Sequence, residues 1–111
     1  MIFILDASAM IAFLRDEPGA EVVANALFDP ESTCYAHALN LCEVFYDFHR
    51  TAGLENASRA IADLSIAGVI QDANLAPDVW RAAGILKSVL RRISLADCFA
   101  IELTGRIQVS S

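Results

Sequence analysis

Hydrophobic residues in this chain come in two rhythms. A short unbroken apolar run, Ile2 to Leu5, and the segment Thr33 to His37 have the length and β-branched or aromatic content of buried strands. Between them lie longer segments in which apolar residues recur every three or four positions, the spacing of helices with one buried face. Residues 8–17 form the first such segment, with Ser8 near its cap and Pro18-Gly19 as its break. Residues 19–28 form a second helix, closed by the turn signal Asp29-Pro30. The strand at 33–37 leads into a long helix stopped by Gly53, and a further helix over 54–68 again ends on glycine. A short strand at 69–71 follows, and Pro77 then opens a helix over 77–92. The pattern finishes with a helix over 94–105, terminated by Gly105, and a final strand at 107–111.

Short apolar strands alternating with helices predict an α/β fold with a parallel sheet covered on both faces. The 111 residues, 56% of them hydrophobic, suffice for one sizeable core but hardly two, so one domain spanning 1–111 is expected. The mean hydropathy of +0.47 is high, yet no apolar run approaches the roughly 20 residues of a membrane span. Asp6 interrupts the first run too early for a signal-peptide core, so a soluble, cytoplasmic protein is expected. Cys34, Cys42 and Cys98 lack CxxC spacing and lie in apolar surroundings, which fits small core residues better than zinc or disulfides. Eight basic against 14 acidic side chains leave a net charge of −6, poor electrostatics for gripping a nucleic-acid backbone unless something else supplies positive charge.

That balance directs attention to particular acids. Asp6 ends the first strand, and in open parallel sheets sites form outside the carboxyl ends of strands. Taken alone, Asp6 reads as the cap of the helix it precedes. Glu43, however, lies in a largely apolar stretch of the third helix, with Asn40 one turn before it on the same face and Asp47 one turn after. Asp97 follows Ser94 by three positions, the spacing of a capping box. Each acid has a purely structural explanation. Brought together by the fold, however, the three could not all stay ionised without a cation or raised pKa values. Oxygen ligands with no His or Cys cluster suit a hard ion, Mg²⁺ or Mn²⁺.

Asp6 and Ser8 after the first strand, Asn40 and Glu43 on the third helix, and Ser94 and Asp97 at the start of a later helix together resemble a PIN-domain ribonuclease, most closely the VapC-like toxins. The resemblance runs through the whole chain in order and spacing. It implies a PIN-domain-like three-layer fold with the acids at the carboxyl end of a central parallel sheet flanked by helices. It also implies hydrolysis of RNA with Mg²⁺ or Mn²⁺, leaving a 5′-phosphate and a 3′-hydroxyl. On that basis Asp6, Glu43 and Asp97 are expected to hold the metal, while Ser8, Asn40 and Ser94 orient them. A homodimer and a cognate antitoxin protein are the implied partners.

Members of the family commonly continue from a last strand into a further acidic residue, whereas this sequence stops at Ser111. A C-terminally short fold lacking a fourth carboxylate is therefore expected, and a catalytically impaired binding or regulatory module is the alternative function. A phosphatase with an aspartyl nucleophile would need a second Asp where Ser8 stands, and no glycine-rich nucleotide-binding motif is present. Phe45, Tyr46, Phe48 and Trp80 are candidates for an interface, with core packing the expectation for Phe45 and Phe48. Arg50, Arg91, Arg92 and Arg106 are candidate phosphate contacts, and His37 and His49 are expected to be outside the chemistry.

Overall fold

Three short strands, β1 (Ile2–Ile4), β2 (Thr33–His37) and β3 (Val69–Asp72), pair in parallel in the order β1-β2-β3. The computed structural model describes residues 1–110. Register is set by Phe3 opposite Cys34 and Cys34 opposite Val69, so the apolar residues of all three strands align across the sheet. Parallel strands need a crossover, and helices supply it. Helices α1 (Ala7–Arg15) and α2 (Ala20–Phe28) connect β1 to β2, α3 (Ala38–Ala52) and α4 (Leu54–Ala67) connect β2 to β3, and α5 (Pro77–Val89) and α6 (Leu95–Ser110) follow.

The period-two alternation of a strand sends neighbouring side chains of β2 to opposite faces. Cys34 and Ala36 join the larger buried cluster, with Met10 and Leu5 from the first crossover and Val44 and Leu64 from the second. His37, of opposite parity, meets Phe99 of α6 at 4.8 Å between ring centres. Phe99 belongs to a second cluster with Val79, Ala83 and Cys98, joining α5 to α6. The sheet is thereby covered on both faces, as the alternation of elements predicts.

Most helix boundaries follow the sequence signals. Gly68 ends α4 at φ +115°, a left-handed conformation that a side chain resists, and Pro77 occupies the first turn of α5. The cap of α1 is Asp6 rather than Ser8, which lies exposed on the first turn. Cys34 and Cys98 are buried, but Cys42 is exposed, because Asn40, Leu41 and Val44 form the inward stripe of α3.

The C-terminal expectation is overturned. Residues 107–110 continue α6 instead of forming a strand, Gly105 lies inside that helix, and the described sheet has three strands; Ser111 lies outside the described residues. Glycine permits a helix to stop without requiring it, at a cost of about 1 kcal/mol relative to alanine. Contacts on both sides of Gly105 oppose that cost. The Thr104 hydroxyl donates to Ala100 O at 2.9 Å, and the Arg106 guanidinium grips Glu102 one turn back through Nε at 2.7 Å.

Candidate functional site

Asp6 stands immediately beyond β1. Its Oδ1 accepts from Ala9 N at 2.8 Å, satisfying one of the open amides of the first turn of α1. This cap engages one carboxylate oxygen and orients the other, so the cap expected from sequence is present and does not use up the group.

Glu43 is carried by α3, whose start is secured by His37. The His37 Nδ1 accepts from Leu39 N at 3.1 Å, so the ring proton sits on Nε2, which donates to Asn74 O at 2.9 Å. Both ring nitrogens of this fully buried side chain are thus occupied in holding backbone. His37 is the N-cap of α3.

Asn40, one turn before Glu43, is completely buried, and its Nδ2 donates to Ala96 O at 3.1 Å, tying α3 to the first turn of α6. Its Oδ1 is buried with no hydrogen-bond partner. At the same turn Ser94 Oγ accepts from Asp97 N at 3.0 Å, while Asp97 Oδ2 faces Ser94 N at 3.4 Å, the reciprocal pattern of a capping box. The Ser94 side chain also favours the charged form of Glu43, which sets the cap of α6 beside the acid on α3.

The electrostatics of Glu43 connect the three acids. Burial pushes its pKa above the ordinary carboxylate range, the negative charge of Asp97 adds to the shift, and that of Asp6 adds further, while the Ser94 side chain opposes them. Asp97 and Asp6 each therefore lie within electrostatic reach of Glu43, although α1, α3 and α6 are far apart in sequence. Among the described residues, no set of three or more His, Cys, Asp or Glu side chains is arranged to hold a metal ion. The two observations concern different distances. Charges in a protein interact over up to about 10 Å, whereas coordination by a hard cation requires oxygens at about 2.0–2.6 Å. The donor chemistry fits a hard divalent cation: all-oxygen, anionic, and with one member whose proton affinity is raised by burial and further by its neighbours' charge.

A second charged cluster at the end of β3 is not anticipated by the acid pattern. Arg106 binds Asp72 in bidentate fashion, Nη1 to Oδ2 and Nη2 to Oδ1 at 3.1 Å each, and its Nε also reaches both oxygens of Glu102. The guanidinium holds the Asp72 carboxyl below its usual range, and Asp72 in turn raises the pKa of Arg106. The Glu102–Arg106 spacing is a sequence signal for half of this cluster, but nothing local marks Asp72 as its partner. Arg106 thus binds an internal carboxylate where a phosphate contact was a candidate role. Arg50 pairs with Asp47 at 3.2 Å, and Arg15 holds the same Asp47 at 2.7 Å. Arg91 and Arg92 are exposed. Phe48 packs against the larger core beneath Arg15, whereas Tyr46 and Trp80 are about half exposed or more, at 63% and 48%.

The sequence matches the PIN domain family over residues 3–107. Among curated proteins, no match is found. Solved structures of similar fold include two toxin-system proteins. One is VapC20 of Mycobacterium tuberculosis, a toxin described as cleaving the sarcin-ricin loop, with a TM-score of 0.72 and 18% identity over 97% of this chain and 84% of that one. The other is VapBC2 of Rickettsia felis, described as bound to a DNA fragment from its promoter, with a TM-score of 0.68 and 16% identity over 94% of this chain and 83% of that one. No helix among the described residues is long and apolar enough to cross a membrane. With a family match covering nearly its whole length, and a parallel sheet layered between helices as in these structures, the chain belongs to the PIN domain family.

Proposed function

We propose that this chain is a metal-dependent endoribonuclease of the VapC-like toxin type, with Asp6, Glu43 and Asp97 as the ligands of Mg²⁺ or Mn²⁺. The observation that carries this reading is the raised proton affinity of Glu43, caused after burial by Asp97 and Asp6. A partly buried carboxylate facing the charge of two others is an unfavourable arrangement for stability alone, and a divalent cation would relieve it. Bound there, such an ion supplies an activated water and positive charge for a phosphodiester, which a chain of net charge −6 otherwise lacks.

The chain's own residues prepare the site. The α1 cap orients Asp6, the Ser94 hydroxyl orients Glu43 while receiving the Asp97 amide, and Asn40 fastens the first turn of α6. Ser8 is the weakest member of the expected set, being exposed on α1. The partners of this reading are an RNA substrate, a cognate antitoxin and a second copy of the chain. Exposed Tyr46 and Trp80 suit protein contacts, since aromatic residues are enriched in interface cores.

The test is cleavage of a labelled RNA with Mn²⁺ by the wild-type chain and by Asp6→Asn, Glu43→Gln and Asp97→Asn. The expected result is cleavage that requires Mn²⁺ and is lost in all three variants while their folds persist. The engagement of Asp6 and Asp97 in caps supports one other reading, a binding module that has lost catalysis. Binding of RNA or antitoxin without cleavage, unchanged by these substitutions, would establish it in place of the nuclease.

A further inference from the structure

Lys87 is the only lysine in the chain, and it is not used as a surface charge. It sits in the last turn of α5 with its ammonium donating to Arg91 O at 2.9 Å and Ile93 O at 2.7 Å. Both carbonyls belong to the connection between α5 and α6. The ammonium thus satisfies two carbonyls of the connection while standing at the negative end of the α5 dipole. The connection has few other internal ties. Leu90 N bonds to Leu86 O at 2.7 Å, and Ile93 N reaches Leu90 O at only 3.3 Å.

The residue after the clamped Ile93 carbonyl is Ser94. One hydroxyl there accepts from Asp97 N and stands near enough to Glu43 to favour its charged form, and Ser94 O receives Cys98 N at 3.2 Å to start α6. A hydroxyl has one proton and two lone pairs, so it can serve both neighbours only if its backbone is correctly placed. We infer that Lys87 is a positioning residue, which closes the α5–α6 connection and thereby presents Ser94 and Asp97 to Glu43. The inference deepens the nuclease reading, since it concerns how two of the proposed site residues are held. Two carbonyls diverging from one tetrahedral ammonium also account for lysine here, because a planar guanidinium directs its donors along a fixed fork.

The experiment compares the full chain with Lys87→Met, which keeps length and loses every donor, and Lys87→Gln, which retains a shorter polar group. Ser94→Ala is the reference. Amide exchange by NMR at Asp97 and Cys98 should quicken about tenfold in Lys87→Met, with Ala36 of β2 unchanged. The Glu43 side-chain carboxyl ¹³C resonance, followed at fixed pH without metal, should move in the same direction as in Ser94→Ala, with Lys87→Gln intermediate. A purely structural role elsewhere in α5 would not move that resonance. The inference is overturned if exchange at Asp97 and Cys98 stays at the wild-type rate, if it quickens equally at Ala36, or if the Glu43 resonance does not move. Mn²⁺ titration of the wild type separates this inference from its premise. A chain that binds no Mn²⁺ and cleaves no RNA refutes the nuclease reading, while exchange and carboxyl resonance still decide the role of Lys87.

Discussion

Replacing Arg106 by Met keeps much of the aliphatic stem and deletes the guanidinium that joins α6 to the end of β3. The variant leaves Asp72 without its bidentate partner and Glu102 without its ion pair one turn away. Exposed pairs contribute about 0–1 kcal/mol, whereas breaking a fully buried pair costs about 3–5 kcal/mol. Side-chain exposures of 28% for Arg106, 22% for Asp72 and 10% for Glu102 place this cluster between those limits. A loss of about 2 kcal/mol is expected at neutral pH, or roughly 8 °C in melting temperature for a chain of this size. The pH dependence follows from Asp72. Its folded pKa is depressed, so its contribution is complete above the unfolded value of about 3.9 and is lost as pH falls through the lower folded value. Urea unfolding monitored by circular dichroism at pH 7 and again near pH 3 should therefore show the gap between wild type and variant narrowing in acid. A gap under about 0.5 kcal/mol at pH 7 would refute the assignment of this cluster as a clamp. So would a gap that is the same at both pH values.

Glu43→Gln should stabilise the metal-free chain at pH 7, because a raised folded pKa means that ionising Glu43 costs stability progressively as pH rises above about 4.3 through the folded value. Thermal melts at pH 7 and pH 4 test this, with the gain expected only at the higher pH. Gly105→Ala should raise stability by about 0.5–1 kcal/mol, since the site is inside α6 and nothing lies within 4 Å of an added Cβ. Gly68→Ala should instead cost about 1–2 kcal/mol, because φ +115° is the difficulty and the nearest atom, Leu27 O, is at an ordinary 3.9 Å. Chemical denaturation of the two glycine variants side by side gives the two signs, and a loss at residue 105 would defeat the continuous helix. Asn40→Ala removes the buried amide that donates to Ala96 O and should cost about 1 kcal/mol, with accelerated amide exchange confined to the start of α6 as its local signature.

The sequence by itself determined the alternation of elements, because apolar runs of strand length and stripes of helical period are local and the breaks between them are marked by Gly53, Gly68, Asp29-Pro30 and Pro77. It also determined which acids were of interest, since Asp6 follows a strand, Glu43 lies on a mostly apolar helix and Asp97 stands three places after Ser94. The two caps expected as structural roles are present along with the electrostatic grouping, which local spacing alone could not decide between. Only the tertiary structure decided the course of residues 107–110. Ile107 and Val109 have strand-like side chains, but the turn before them is held by Glu102, Arg106 and Asp72, and Asp72 is 34 residues away from Arg106. The influence of Asp6 and Asp97 on Glu43 likewise depends on how β1 lies beside β2, and on Asn40 fastening α3 to α6. Periodicity records which face of an element is buried; it does not record which element lies opposite. Charge coupling and long-range ion pairs belong to that second kind of information, so they are set by packing between elements and not by any one of them.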